Sequence, residues 1–258
     1  MHTFLSKLSL PVRTSKPRRS GLTLAIDTGC PFNYFQDVIE SHSNLIDYIK
    51  FGWGTALVTD CIERKINILH EQGFSFLFGG TLFEKFFAAG AFADYLAFCA
   101  RYKAGAVEIS SGSISMTNTE VADAISRCRD ADLAVFCEIG KKGNENASAM
   151  SLQNWADEIA SANRAGADYI VLEARESGTG GMFTTKGDLR DGLLDRVLEV
   201  GVAQDRLIFE APMRQQQAYF IRRFGADVNL ANIALADLVS LETLRQNLRF
   251  ETFDIVAS

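Results

Sequence analysis

Short apolar runs rich in β-branched and aromatic residues alternate along the chain with longer segments of helical character. Eight such runs occur, and their starts lie about 20 to 40 residues apart, which leaves room for one helix and two turns after each. The runs are LTLAID (22–27), IDYIKFG (46–52), FSFLFGG (74–80), AVEIS (106–110), LAVFCEIG (133–140), DYIVLEA (168–174), RLIFEAP (206–212) and DVNLANI (227–233). The pattern predicts eight strands that alternate with helices.

The segments between the runs carry helix signals. Residues 151–167 open with Ser151, a favourable N-cap, and their apolar residues recur at three- and four-residue intervals. Residues 116–132 and 212–227 have a similar pattern. No Pro/Ser-rich linker divides the chain, so the eight units predict an α/β fold, a single (β/α)₈ TIM barrel over residues 21–258.

An open, doubly wound sheet is the alternative fold. Such a sheet is expected to carry a phosphate-binding fingerprint, but neither GxGxxG after the first run nor GxxxxGK[ST] occurs. Residues 1–20 hold five basic residues and no acidic one. They lack the apolar core of a secretory signal, so we expect an N-terminal basic arm, solvated or packed as a short helix, rather than a targeting segment.

Composition indicates which binding partners and which cellular compartment to expect. The net charge is −6 and there is no long basic stripe, so we expect no nucleic-acid partner. Apolar runs stay shorter than the ~18 residues of a membrane span, so we expect no membrane partner. The five cysteines are scattered, with no CxxC pair, which is typical of a reducing cytoplasm and argues against a disulfide scaffold or a zinc site.

Four consecutive runs carry a glutamate at the same position, after two apolar or small residues: Glu108, Glu138, Glu173 and Glu210. Interiors of buried parallel strands are normally apolar, so these carboxylates are informative. The carboxyl ends of barrel strands meet at one mouth, where enzymes of this fold keep their active sites. Asp27 ends the first run and is expected at the same height.

Basic residues accompany these glutamates. Lys50 follows DYI at the end of the second predicted strand, Arg175 shares a strand face with Glu173, and Lys142 shares one with Glu138 if that strand continues past Gly140. Carboxylates so close together repel one another and need a divalent cation or these basic side chains. The oxygen-rich, histidine-poor set favours Mg²⁺ over zinc. An ion-pair network that only closes the barrel is the structural alternative.

Three glycine loops follow predicted strands: FGWGT (51–55), FGGT (78–81) and ESGTGG (176–181). Their backbone N–H groups could cradle an anion, although each loop could equally be a simple tight turn.

Longer motifs resemble one enzyme family. They are KFGWGT (50–55), GGTLFE (79–84), AVEIS (106–110), EIGKK (138–142), GADYIVLEARESG (166–178), LIFEAP (207–212), NLANIA (229–234) and SLETLR (240–245). Over about residues 21 to 250 the chain resembles the phosphosulfolactate synthase family, whose fold is a (β/α)₈ barrel.

The resemblance implies a cytoplasmic, Mg²⁺-dependent enzyme that adds sulfite to phosphoenolpyruvate, an early step towards coenzyme M. Lys142 resembles the general acid proposed for the family, with Lys141 the less favoured neighbour, and Lys50 and Arg175 would hold phosphate or carboxylate. The metal ligands would come from Glu108, Glu138, Glu173 and Glu210. The expected substrate-binding residues are Asp27, Lys50, Gly80, Ser110, Ser111, Arg175, Ser177 and Asn232.

The chain departs from the family pattern at three loop positions. Thr28 stands where lysine is usual, Ser111 where aspartate is usual, and Thr179 where lysine is usual. Two further hypotheses follow: a barrel enzyme with another nucleophile or enol phosphate, and a non-catalytic relative like the plant heat-stress proteins of the family. The apolar segment FEKFFAAGAF (83–92) is expected to be exposed, which favours a homo-oligomer.

Overall fold

The computed structural model describes residues 7–141 and 150–255. It contains one sheet of eight parallel strands in the order β3-β2-β1-β8-β7-β6-β5-β4. The strands are β1 (Thr23–Asp27), β2 (Tyr48–Phe51), β3 (Ser75–Phe78), β4 (Ala106–Ile109), β5 (Ala134–Ile139), β6 (Tyr169–Leu172), β7 (Leu207–Glu210) and β8 (Leu230–Ala234). All eight predicted runs are confirmed as strands, with bounds that differ by at most three residues at either end.

The sheet curves until its two outer strands, β3 and β4, lie side by side. Gly105, just before β4, lies against Ser75 of β3: a Cβ at this glycine would lie only 2.3 Å from Ser75 Oγ. The absence of a side chain at residue 105 therefore allows the close approach. The single (β/α)₈ barrel is confirmed, and the open sheet is wrong.

Helices surround the barrel on its outer side. They are α1 (Phe32–His42), α2 (Thr55–Val58), α3 (Ile62–Glu71), α4 (Gly80–Ala88), α5 (Phe92–Arg101), α6 (Asn118–Asp130), α7 (Leu152–Ala165), α8 (Leu193–Glu199), α9 (Arg214–Phe224) and α10 (Leu238–Arg245). Sequence signals fix several ends: Ser151 Oγ caps α7 by accepting from Asn154 N–H, and Thr117 and Glu120 form a capping box at α6. The three predicted helical segments are confirmed.

The barrel interior is built in layers. The lower layer is apolar and includes Leu24, Leu77, Ala106, Phe136, Val171, Ile208 and Ala231, with Tyr48 packed against it. Because side chains on one face of a strand recur every second residue, the next layer up from Tyr48, Ala106, Phe136, Val171 and Ile208 is Lys50, Glu108, Glu138, Glu173 and Glu210. The interior therefore changes from apolar to charged in one step.

The larger apolar core lies between the strands and the helices and includes Phe83 and Phe92, with the partly buried Phe86 and Phe87 packed against it. Phe83 is fully buried and Phe92 nearly so, and their ring centroids lie 5.7 Å apart. The expectation that the segment 83–92 is exposed is therefore wrong for its aromatic side chains, because α4 and α5 turn them towards each other, while Lys85 and residues 88–90 are exposed. The prediction of a homo-oligomer loses the support it took from this segment.

The described part of the N-terminal arm, residues 7–20, contains no helix and packs beneath the barrel. Arg13 forms ion pairs with Asp227 and Glu242, and Arg18 pairs with Asp47 at 3.1 Å. Its basic residues thus stabilise the end of the barrel opposite the strand carboxyl ends. Among the described helices, none has the length and apolar character needed to cross a membrane.

Candidate active site

A cavity of about 370 Å³ opens at the carboxyl ends of the strands. Its size is typical of a small-molecule site. It brings together nine of the residues singled out in the sequence: Lys50, Gly80, Glu108, Glu138, Glu173, Arg175, Ser177, Glu210 and Asn232. These residues come from β2, β4, β5, β7 and β8, from the N-terminus of α4 and from the loop after β6.

Lys50 lies at the centre of a carboxylate cluster. Its Nζ donates to Glu108 Oε1 and to Glu210 Oε1, each at 3.0 Å. The other oxygens of these two glutamates accept from backbone N–H groups, Glu108 from Gly80 at 2.7 Å and Glu210 from Ala174 at 2.8 Å. One oxygen each of Glu108, Glu138 and Glu210 lie within 4.8 Å of one another. The three carboxylates and the ammonium form one buried charged unit.

Burial and mutual repulsion perturb the cluster. Burial raises the pKa of Glu210 to about 7 and also raises that of Glu108, while Lys50 opposes both changes. Burial alone would lower the pKa of Lys50, yet Glu108, Glu210 and Glu138 together raise it. Lys50 therefore stays an ammonium, and three carboxylates facing one ammonium leave the cluster able to bind a proton or a further cation near neutral pH.

Ser110 connects the cluster to a glutamate that the sequence analysis gave no role. Its Oγ lies 2.7 Å from Glu138 Oε1 and 2.7 Å from Glu84 Oε1 on α4. Glu84 is buried, and the Ser113 N–H also donates to it at 3.1 Å. Ser110 thus positions Glu138 from behind rather than lining the cavity. GGTLFE contains Glu84, but helical position alone gives no sign of this contact.

The loop after β6 supplies the basic residue at the mouth. Arg175 is exposed, and no ion pair of its guanidinium is present within the described ranges. Gly181 lies so close to Glu173 that a Cβ would come 2.0 Å from the Glu173 carbonyl oxygen, and a Cβ on Gly180 would come 3.2 Å from Arg175 Cδ. These glycines let the loop fold back on Glu173 and leave Arg175 at the opening.

Asn232 on β8 faces the cavity with an unusual backbone. Its φ is +57°, and its Nδ2 donates to Ala174 O at 3.4 Å. Its buried Oδ1 accepts no hydrogen bond from the part of the chain that the structure describes. Left-handed backbone tends to occur at functional sites, and the unmatched acceptor can take a donor from a ligand.

Asp27 lies on the other side of its strand, contrary to expectation. Leu24 and Ile26 face the barrel interior, so the alternation turns Asp27 towards the helices. Its Oδ2 accepts from Lys65 Nζ of α3 at 2.6 Å, and its Oδ1 accepts from the Gly29 and Cys30 N–H groups, each at 2.9 Å. Asp27 shapes the loop after β1 with Lys65, a fully buried partner that the sequence did not reveal.

Lys141 and Ser111 also lie outside the cavity lining. Lys141 Nζ donates to Ser111 O at 2.8 Å and to Ser111 Oγ at 3.1 Å. Burial raises the pKa of Glu158 on α7, and Lys141 opposes that rise, which places the Lys141 ammonium towards the helical layer. Lys142 lies outside the described residues. Strand β5 ends at Ile139, and Gly140 has a φ of +146°, so alternation from Glu138 no longer predicts where Lys142 points.

The donor set matches a hard divalent cation in chemistry and charge. Glu108, Glu138 and Glu210 offer carboxylate oxygens and exceed the charge of Lys50. Lys50 and backbone N–H groups already bind Glu108 and Glu210, so a cation held there would share these carboxylates with existing donors. Glu173, in the same wall, is not part of the three-glutamate group.

Comparison with known sequences identifies a family. The sequence profile described as (2R)-phospho-3-sulfolactate synthase (ComA) matches residues 11–251. A phosphosulfolactate synthase of Bacillus subtilis is 44% identical over 246 residues, which is 95% of this chain and 97% of that protein. A phosphosulfolactate synthase of Methanocaldococcus jannaschii is 41% identical over 236 residues, 90% of this chain and 94% of that protein.

Comparison with solved structures confirms the architecture alone. The crystal structure of 3-hexulose-6-phosphate synthase from Salmonella typhimurium aligns with a TM-score of 0.57 at 11% sequence identity. The alignment covers 87% of this chain and 98% of that one. At this identity the similarity establishes the barrel and carries no information about substrate.

Proposed function

The chain belongs to the (2R)-phospho-3-sulfolactate synthase family, and we propose that it forms a carbon–sulfur bond by adding sulfite to phosphoenolpyruvate. The product is (2R)-phospho-3-sulfolactate, an intermediate on the way to coenzyme M. The observation that carries the proposal is the cluster of Glu108, Glu138 and Glu210 around Lys50, in a cavity with Arg175 at its mouth.

The reaction places specific demands on the site. The sulfur lone pair bonds to the methylene carbon of phosphoenolpyruvate, and the π electrons of the carbon–carbon double bond move towards the substrate carboxylate. One proton then adds to the carbon that bears the phosphate group, which balances the equation without an oxidant or reductant. The site must therefore bind anions, stabilise charge on a carboxylate and deliver a proton from one side.

The described residues meet the first two demands. Arg175, exposed at the opening, is suited to bind a phosphate or carboxylate group in bidentate fashion. Lys50 stays positively charged deep in the cavity. Burying a charged substrate carboxylate there without a positive partner would cost the most free energy. Asn232 and Ser177 add polar groups to the wall. For the third demand we propose Lys142, on the family resemblance.

Mg²⁺ is the proposed cofactor. Glu108, Glu138 and Glu210 would hold it, with Glu173 in the same cavity wall. When bound, the ion supplies Lewis-acid stabilisation of the charge that develops on the substrate. We also propose a cytoplasmic location, since all five cysteines are free thiols.

The test uses the purified full chain with phosphoenolpyruvate and sulfite, with and without added Mg²⁺ after chelation. Phosphorus NMR separates the enol phosphate of the substrate from the alkyl phosphate of the product. We expect product only with both substrates and Mg²⁺, and none from Glu138→Gln. If the wild-type protein binds phosphoenolpyruvate by calorimetry but consumes none with sulfite and Mg²⁺, the proposed reaction is wrong.

Another nucleophile is the second candidate, favoured by one observation. Where the family usually has lysine, Thr179 Oγ1 shares a 2.8 Å hydrogen bond with Ser177 Oγ, and Ser177 lines the cavity. Position 179 is therefore neutral where a positive charge is usual, so the loop would attract a doubly charged nucleophile less strongly. Running the same assay with thiols in place of sulfite distinguishes the two candidates.

A further inference from the structure

Trp53 occupies a backbone conformation that suits glycine. It follows β2 in a tight turn, in which the Thr55 N–H donates to Gly52 O at 3.0 Å. The φ of Trp53 is +49°, a region that bulky residues with a Cβ rarely adopt. Such strained positions concentrate at functional sites, so the outlier calls for a reason.

The glycines on either side of Trp53 do not explain its strained backbone. Gly54 has a φ of −109°, which any residue can adopt, and a Cβ there would meet nothing within 4 Å. Gly52 packs closely against β1, where a Cβ would lie 3.1 Å from Ile26 Cδ1. The turn thus places tryptophan where glycine would fit best and glycine where a side chain would fit.

Packing in the apolar core does not explain the strained backbone of Trp53 either. Trp53 is 40% exposed, and it is absent from both apolar core clusters found in the described chain. It does line the cavity. Trp53 is thus a large aromatic side chain in a strained turn, outside the core and at the mouth of a cavity. Contact with a ligand in the cavity explains this placement.

The position of Trp53 in the barrel defines that contact. Trp53 follows β2 and Arg175 follows β6, four strands away in the barrel order, so the two residues bound the cavity from opposite sides. Lys50, three residues before Trp53, lies at the floor of the cavity and is paired with Glu108 and Glu210. A ligand between them meets the Arg175 guanidinium on one side, the Lys50–glutamate cluster at the floor and an indole on the side opposite Arg175.

We infer that Trp53 contacts the substrate, a small phosphorylated carboxylate, and shields it from water on the β2 side of the cavity. The choice of phosphoenolpyruvate as probe rests on the proposed function. The inferred contact itself concerns ligand binding and needs no sulfite. Because the indole is partly exposed in the structure described here, binding should bury it and change its fluorescence.

The experiment compares Trp53→Gly, Trp53→Phe and the control Val58→Ala. Val58 is 82% exposed in the neighbouring helix α2 and does not line the cavity. Calorimetry gives the dissociation constant for phosphoenolpyruvate, and thermal melting monitors the fold. Fluorescence titration compares the wild type with Trp53→Phe, in which the buried Trp155 remains as a constant background.

Trp53→Gly should melt close to the wild-type temperature, since glycine adopts this φ without strain, yet bind phosphoenolpyruvate at least about tenfold more weakly. The fluorescence change on binding should be present in the wild type and absent in Trp53→Phe. Val58→Ala should match the wild type in all three measurements.

Wild-type affinity in Trp53→Gly, or no fluorescence change at saturating phosphoenolpyruvate, would overturn the inference. Both effects in a protein that makes no product from sulfite would support the inference while refuting the proposed function. Product formation by Trp53→Gly with an unchanged KM for phosphoenolpyruvate would support the proposed function while refuting the inference about Trp53.

Discussion

Lys50 on β2 and Glu210 on β7 form a buried ion pair across the barrel, with Lys50 Nζ 3.0 Å from Glu210 Oε1. The two residues lie 160 positions apart in the chain and are both nearly inaccessible to solvent. Lys50 also pairs with Glu108, so a single ammonium compensates two carboxylates and reduces their repulsion with Glu138. The stability of the fold and the proposed ligand chemistry therefore involve the same cluster.

Removing the ammonium should destabilise the protein. Lys50→Met leaves Glu108 and Glu210 buried without the ammonium that they share, and breaking a buried pair in this way typically costs about 3–5 kcal/mol. Urea unfolding at neutral pH measures the free energy of unfolding. A second expectation is that lowering the pH restores part of the loss, because protonation neutralises the carboxylates. An unchanged free energy of unfolding would show that Lys50 does not carry this compensation.

The metal-free protein should lose stability as the pH rises through about 7. Burial raises the pKa of Glu210 from an ordinary 4.5 to about 7. The folded state therefore holds this proton more tightly than the unfolded state. The resulting stability is fully present below about pH 4.5 and is lost as the pH rises through 7. At about 1.4 kcal/mol per pKa unit, the change is on the order of 3 kcal/mol.

The control for this pH dependence is Glu210→Gln, which is neutral at every pH. Unfolding free energies measured in urea at intervals from about pH 5 to 8 should fall in the wild type and change less in the variant. Equal slopes in the two proteins would mean that other groups are responsible.

The Asp27–Lys65 pair should matter for stability and little for ligand binding. Lys65 is fully buried and its Nζ lies 2.6 Å from Asp27 Oδ2, on the helical side of β1. Lys65→Met should cost about 3–5 kcal/mol of unfolding free energy because it leaves Asp27 buried without its cation. Calorimetry on the folded fraction should give wild-type affinity for phosphoenolpyruvate. A large loss of affinity with an intact fold would instead place Asp27 in the substrate site.

The two adjacent lysines should differ in their effect on turnover. Lys141 donates to Ser111 towards the helical layer, so Lys141→Ala should reduce turnover only mildly. Lys142→Ala should lower turnover by about 10²–10⁴-fold if this residue is the general acid. Rates with phosphoenolpyruvate and sulfite decide between them. Inactive Lys141→Ala beside nearly normal Lys142→Ala would show that the acid has been misassigned.

Periodicity in the sequence was sufficient for the architecture. A strand that is buried on both faces must be apolar, and eight such runs separated by amphipathic segments have few ways to pack other than a closed barrel. The same reasoning located Glu108, Glu138 and Glu210, because a carboxylate in an apolar strand is conspicuous. Lys50 was found by its position near a strand end, and Arg175 by sharing a strand face with Glu173.

The tertiary structure alone decided which charges meet. Asp27 ends its strand as the glutamates nearly do, but one residue of alternation turns it to Lys65, whose burial no helical pattern predicts. The contact of Glu84 with Ser110 and the backbone of Trp53 likewise depend on neighbours distant in sequence. Local sequence determines the strands and their faces because the side-chain period is a property of the backbone. Charge partners depend on register and helix placement, which only the folded chain fixes.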